Sequence, residues 1–292
     1  MPSLTTADGR TLAWHERGSG PPLLCHSGGP GCSSAYYADL PELAAEHTII
    51  LLDPRGTGAS DPPADPAGYD LEDYADDVEA VQRHVGIERL DLLGHSHGGF
   101  VAMTWAARYA ERVGRLVLAN TAPRFTDTIR QARQARVTSH EGQLYYADSI
   151  EAMRQRAEGR YSSAEELGEL YYREGLLQAP VGVDPTPVLS VLARAGDNAD
   201  AVGHFNSRIA GSMDQRPLLA GVAAPVLVIT GSEDAFLSGS YEIADAPPNA
   251  TLVVLPGADH FPYLEPGQSD PWARAVLDFL RDEAGATPLS SR

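Results

Sequence analysis

Lysine is missing altogether from these 292 residues, so arginine supplies all 22 basic side chains against 40 acidic ones. The net charge of -18 argues against nucleic acid or an anionic membrane as partner, because either would repel such a surface. Absence of lysine beside abundant alanine and arginine points to coding bias in the source genome and not to chemistry. Cysteine is nearly absent too. Cys25 and Cys32 cannot form a disulfide framework, so both are expected to be reduced, and buried or lining a site. The amino terminus, MPSLTTADGR, has no basic stretch followed by an apolar core, and no secretory signal is visible there. No uncharged apolar run approaches the ~20 residues of a membrane span. These absences together point to the cytoplasm, with neither nucleic acid nor membrane as partner.

What is present is an ordinary globular composition, 43% hydrophobic and 21% charged, in a chain long enough for one large domain or a domain with an insertion. Asp8-Gly9 lies between two strand-compatible runs and marks a hairpin over Leu4 to Glu16. Short apolar runs follow at Pro22–Cys25, Thr48–Leu52, Leu90–Leu93 and Val113–Ala119. Helical patterns separate them, at roughly Ser34–Glu46, from Leu71 behind the capping residue Asp70, and from Phe100 to about Tyr109. Strand alternating with helix implies a parallel sheet covered on both faces. From about Pro123 to Ala220 the strand runs disappear and polar helical segments replace them, near 127–139, 149–159, 163–177, 186–195 and 200–209. The expected organisation is therefore an α/β core, residues 1–122 and 221–292, carrying a helical cap at 123–220. Strands resume at Pro225–Thr230 and Thr251–Leu255, before a last amphipathic helix from about Pro271 to Glu283 and a frayed tail over Ala284–Arg292.

The chemistry gathers where these runs end. Leu90–Phe100 reads LDLLGHSHGGF: an apolar strand, then G-x-S-x-G, then a helix, the pattern that lifts a serine hydroxyl out of a sharp turn. Ser96 is the candidate nucleophile, and it needs a base and an orienting acid. Of nine histidines, His260 follows a strand at the same sheet edge; His95 and His97 flank the serine on a turn and suit structural or pocket-lining roles. Asp234, in Gly231-Ser232-Glu233-Asp234 after another strand, is the candidate acid, with Glu233 and Asp259 as rivals. The oxyanion donors are expected to be the N–H of His97 and that of Gly28 or Gly29 in the glycine-rich turn after Cys25. Arg55, in the turn Asp53–Ser60, is expected to tie that turn to nearby carbonyls or acids.

The combination of Ser27-Gly28-Gly29-Pro30-Gly31, Asp53-Pro54-Arg55-Gly56-Thr57-Gly58-Ala59-Ser60, Gly94-His95-Ser96-His97-Gly98-Gly99, Gly231–Asp234 and Gly257–Glu265 resembles the α/β-hydrolase superfamily, and within it the proline iminopeptidase group. The resemblance covers both halves of the core but not the cap. It implies an α/β-hydrolase fold, a triad of Ser96, Asp234 and His260, oxyanion donors at Gly28 and His97, no cofactor, and a small molecule or short peptide as substrate. Two positions depart from the pattern: Ser27 stands where that family usually has histidine, and the cap has no tryptophan. The leading expectation from this resemblance is a serine hydrolase acting through an acyl-enzyme, of the proline iminopeptidase type that removes an N-terminal residue, and cap acids such as Glu169 are where it would hold the free amino end. Tyr145 and Tyr146 would line a pocket in the rival reading, an esterase, lactonase or amidase. A lyase or cyclase reusing the triad, and a ligand receptor with an idle site, are the remaining alternatives.

Overall fold

The six short apolar runs read as strands all pair with one another in parallel. In a computed structural model of the chain, which describes residues 1–281 apart from 178 and 197, the hairpin β1 (Ser3–Thr5) and β2 (Thr11–Arg17) precedes β3 (Pro22–His26), β4 (Thr48–Leu52), β5 (Leu90–His95), β6 (Val113–Ala119), β7 (Val226–Gly231) and β8 (Ala250–Leu255). They form one sheet in the order β1-β2-β4-β3-β5-β6-β7-β8. Only β1–β2 and β2–β4 are antiparallel. The central strands are apolar throughout because helices cover both of their faces. Since β3 to β8 are parallel, their carboxyl ends lie along one edge, where ligands of such sheets bind.

Helices α1 (Pro41–Ala44), α2 (Leu71–His84) and α3 (His97–Arg108) connect the first strands. Helix α2 begins as expected, with the Asp73 carboxylate accepting the Asp70 N–H at 3.2 Å. Between β6 and β7 come α4 (Asp127–Thr138), α5 (Tyr146–Ala157), α6 (Ala164–Gly175), α7 (Thr186–Ala195), α8 (Ala199–His204) with a π-type turn after it, and α9 (Arg216–Leu219). No strand interrupts them among the described residues. The chain ends its described part with α10 (Leu237–Ala244) and α11 (Ser269–Arg281). The tail expected over Ala284–Arg292 lies outside the described residues.

Two apolar layers sandwich the sheet. On one face Tyr74, Val78, Phe100, Met103 and Trp105 from α2 and α3 meet Leu24, Leu92 and Leu118. On the other, Tyr36, Leu43, Trp272 and Val276 meet Leu23, Leu51 and Ile229. The helical segment rests on the strand edge through polar anchors. Asn198 donates to the Gly56 carbonyl at 2.8 Å and to the Tyr69 hydroxyl oxygen at 2.9 Å, and His204 meets Asp70 at 2.7 Å.

One expectation fails. Ser34–Glu46 is not a continuous helix but a single 3₁₀ turn at Ser34–Tyr37 followed by the four residues of α1. Ala38 and Leu40 take positive φ, 52° and 41°, which breaks the helical path, and Pro41 restarts it at a first-turn position where a missing N–H costs nothing.

Candidate active site

Four neighbouring strands end in four polar residues. Ser96 follows β5, Asn120 follows β6, Asp234 lies three residues beyond β7, and His260 five beyond β8. The ladder itself continues into this row: the Ser96 N–H donates to the Ala119 carbonyl at 3.0 Å and the Asn120 N–H to that of Ile229 at 2.8 Å.

Ser96 sits at φ 53°, ψ -116°, a conformation costly for any residue with a Cβ. The glycines around it are required by space. A Cβ on Gly94 would come 2.2 Å from the Gly98 carbonyl oxygen, and one on Gly98 would come 2.1 Å from that of His26. The elbow closes only because both lack side chains. Gly98→Ala is accordingly expected to destabilise the fold by about 1–3 kcal/mol through overpacking against backbone, read as a lower urea midpoint.

The Asp234 carboxylate is buried and accepts from three donors: Asn120 Nδ2 at 2.8 Å, the Phe236 N–H at 3.0 Å and His260 Nδ1 at 3.1 Å. Burial works against its charged form, but His260, the Phe236 N–H and Asn120 together outweigh that and hold the carboxyl below the ordinary range. A carboxylate can only accept, so His260 Nδ1 carries the proton and the Nε2 lone pair is left to act as a base. His260 remains partly exposed while its partner is sealed.

The carboxylates of the rival acids, Asp259 and Glu233, are occupied otherwise, that of Glu233 accepting from the Ser232 hydroxyl at 3.2 Å. The Asp259 carboxylate pairs with Arg136 of α4, and the same guanidinium donates to the Glu233 carbonyl at 3.0 Å. One arginine thus grips the turn before Asp234 and the turn before His260. Glu265 steadies the second turn, accepting the N–H groups of Asp259 and Phe261 at 2.9 and 3.1 Å. Burial, only partly offset by Arg136, pushes the Asp259 carboxyl up to about 6. Arg136→Met should loosen both turns and lower turnover about ten- to hundredfold, since small misplacements of catalytic groups are costly. Steady-state kinetics beside an unchanged circular dichroism spectrum would show it.

His95 is a strut. Its Nε2 lies 2.7 Å from the His260 carbonyl, which can only accept, so Nε2 bears the proton and Nδ1 accepts from the Tyr36 hydroxyl at 2.9 Å. His97 packs against Tyr74 and Phe205. Burial pushes both imidazoles down to about 3, so both are neutral at physiological pH. His97 is also the first residue of α3, where a backbone N–H has no intrahelical acceptor. Gly28 lies where a Cβ would come 2.2 Å from the Tyr36 hydroxyl oxygen and 3.0 Å from His95 Nδ1, and Gly29 adopts φ 56°. The glycine turn therefore lies against the same histidine that abuts His260.

The substrate-side expectations fare differently. Tyr145 is half-buried and bonded to His140 Nδ1 at 2.8 Å, Tyr146 opens α5, and Glu169 is exposed on α6. Of the polar anchors of the helical segment, Arg136 is the one that reaches the turns of Asp234 and His260, whereas Asn198 and His204 bond Gly56, Tyr69 and Asp70. A narrow cleft borders His260, Phe261 and Leu264 on one side and Gly175, Pro180 and Val188 on the other, and Ser96 does not line it.

Asn120, Arg136 and Glu265 are the residues that reading the sequence missed. For Asn120 the available signal was its place directly after the strand Val113–Ala119. Arg55 does what its turn required, bonding Asp77 and the Gly68 carbonyl, each at 2.7 Å. Cys25 and Cys32 are buried and form no disulfide among the described residues. Among the described residues no cluster of three metal-ligating side chains occurs, and no helix is long and apolar enough to cross a membrane.

Comparison with known proteins agrees with this architecture. The family model described as alpha/beta hydrolase fold matches residues 21–266. A 2-(acetamidomethylene)succinate hydrolase of Mesorhizobium japonicum is 28% identical over 92% of this chain and 91% of its own length. A proline iminopeptidase of Lactobacillus helveticus is 37% identical, but over only 36% of this chain and 37% of its own. The solved enol-lactonase of Burkholderia xenovorans LB400 superposes with a TM-score of 0.67 at 25% identity, over 96% of this chain and the whole of the other. The sheet order, the row of strand-end residues and the matched span together make this chain a member of the α/β-hydrolase family.

Proposed function

We propose that the chain is a serine hydrolase that cleaves an ester, lactone or amide of a small carboxylic acid through an acyl-enzyme. The observation that carries this is the Asp234–His260 pair, which leaves a lone pair on His260 Nε2 at the edge where the Ser96 turn rises. Ser96 Oγ attacks the substrate carbonyl while its proton passes to Nε2, and the oxyanion is held by the N–H groups of His97 and of Gly28 or Gly29. Collapse breaks the bond to the leaving group, which takes the proton. Water, deprotonated by Nε2, then releases the acid and frees Ser96.

Support for an ester, lactone or acyclic amide comes from the relatives matched along nearly their whole length, which include a succinate-derivative hydrolase and an enol-lactonase. Iminopeptidase activity is the second reading, favoured by the 37% identity of the shorter match. Against it, an amino end would need an available acid. Glu174, buried in the cap, is gripped at both oxygens by Arg156, with one contact at 2.8 Å, and Glu169 faces solvent.

Aryl acetates and simple lactones, assayed beside proline and alanine arylamides, separate the two. Ester or lactone turnover exceeding arylamide turnover by at least tenfold is the expected result, and the reverse order would establish the peptidase. Incorporation of oxygen from labelled water into the released acid is expected for hydrolysis and would be absent from a lyase.

A further inference from the structure

Helix α4 carries three arginines, and two of them are satisfied. Arg130 pairs with Asp127 at 2.7 Å and Arg136 with Asp259. Arg133 has neither an ion pair nor a hydrogen bond among the described residues, in a chain with 40 acidic side chains.

Its direction follows from its neighbours on the helix. Ile129, Arg133 and Arg136 occupy i, i+4 and i+7, one stripe of an α-helix. Ile129 at one end is fully buried in the core. Arg136 at the other end reaches the turns that carry Asp234 and His260. Arg133 stands between them, so it projects toward the same sheet edge, and its side chain is open to solvent.

The charges in its range are already answered. Desolvation lowers the pKa of Arg133, Glu174 and Asp234 oppose that, and Arg156 adds to it. Yet Glu174 is held by Arg156, and Asp234 by His260 and Asn120. The guanidinium is exposed at the sheet edge, on the helix stripe that leads to the turns of Asp234 and His260. It stays charged at any ordinary pH and offers an unused planar fork of donors that matches a carboxylate.

Resting on the serine-hydrolase reading above, we propose that Arg133 receives a free carboxylate of the substrate, set back from the scissile carbonyl, and so selects acyl compounds that carry a second acid group. This is a specificity-determining role and not a part in the bond-breaking step.

The test compares the mono-4-nitrophenyl ester of glutaric acid with 4-nitrophenyl pentanoate, an uncharged ester of similar length. The wild-type protein is expected to favour the carboxylated ester by about tenfold or more in kcat/KM, as expected of a charge-assisted hydrogen bond. Arg133→Met should abolish that preference, chiefly through KM, and Arg133→Lys should keep part of it. Equal wild-type turnover of the two esters, or a preference that survives Arg133→Met, would overturn the proposal.

A second readout needs no turnover. Ser96 labelling by an uncharged fluorophosphonate is measured with monomethyl glutarate or methyl pentanoate as competitor. Stronger protection by the glutarate, lost in Arg133→Met, supports the proposal; equal protection overturns it while leaving the hydrolase reading intact. A wild-type protein that neither labels at Ser96 nor cleaves either ester would overturn the hydrolase reading and this proposal with it.

Discussion

Replacing Ser96 with alanine is expected to lower kcat by about a millionfold while the fold persists, the loss seen when one member of a catalytic unit is removed. The reason the fold should persist is local. The backbone of Ser96 is held by its own N–H on the Ala119 carbonyl and by its carbonyl, which accepts from the Thr121 hydroxyl at 2.8 Å. Neither contact uses the Ser96 side chain. Alanine inherits the positive φ of 53° and its cost, so unfolding should change little. Ser96→Gly makes a sharper comparison. It should be equally inactive yet gain stability of about 1 kcal/mol, because relief of a strained non-glycine conformation exceeds the extra entropy of the unfolded glycine. An inactive variant more stable than the parent would mark this serine as one retained for function at the expense of stability. Near-normal turnover of Ser96→Ala would remove Ser96 from the mechanism.

The edge along which Ser96, Asp234 and His260 line up was legible because each follows an apolar run, and parallel strands force such ends together. The same physics gave the bounds of β4, Thr48–Leu52, and of β6, Val113–Ala119, without error. Where positions depended on backbone states that side chains do not advertise, the reading failed. Nothing in Ala38 or Leu40 announces a positive φ, so the stretch after Ser34 looked like one helix. The supports of the site were hidden for another reason: their partners are remote in the chain. Asn120 meets Asp234, Arg136 meets Asp259, and His95 meets the His260 carbonyl, at separations of 114, 123 and 165 residues. Periodicity carries no information across such distances. A turn motif can name the residues it contains, but not the arginine from another element that holds it.

Asp234→Asn should cost about ten-thousandfold in kcat, the loss expected when the base is left in the wrong tautomer, whereas Asp259→Asn should cost far less. The difference follows from what surrounds each carboxylate. Every group facing Asp234 is a donor: Asn120 Nδ2, the Phe236 N–H and His260 Nδ1. An amide has one acceptor oxygen, and in either orientation its NH₂ meets a donor. The conflict is relieved when His260 moves its proton to Nε2 and accepts at Nδ1, which leaves no lone pair to receive the Ser96 proton. Stability should fall as well, in a manner set by pH. The folded pKa of Asp234 lies below its ordinary value, so the stabilisation it provides is complete above the unfolded pKa of about 3.9 and is lost as pH falls through the folded one. Asp234→Asn should therefore differ most from the parent at neutral pH and converge with it in strong acid. Asp259 faces Arg136 instead, and its amide can still accept from that guanidinium, leaving the His260 tautomer unchanged. Measured side by side, kcat of the two variants decides which acid orients the base: should Asp259→Asn be the more damaging, the Asp234 assignment is wrong, and the Arg136 pair becomes part of the catalytic unit instead of its support.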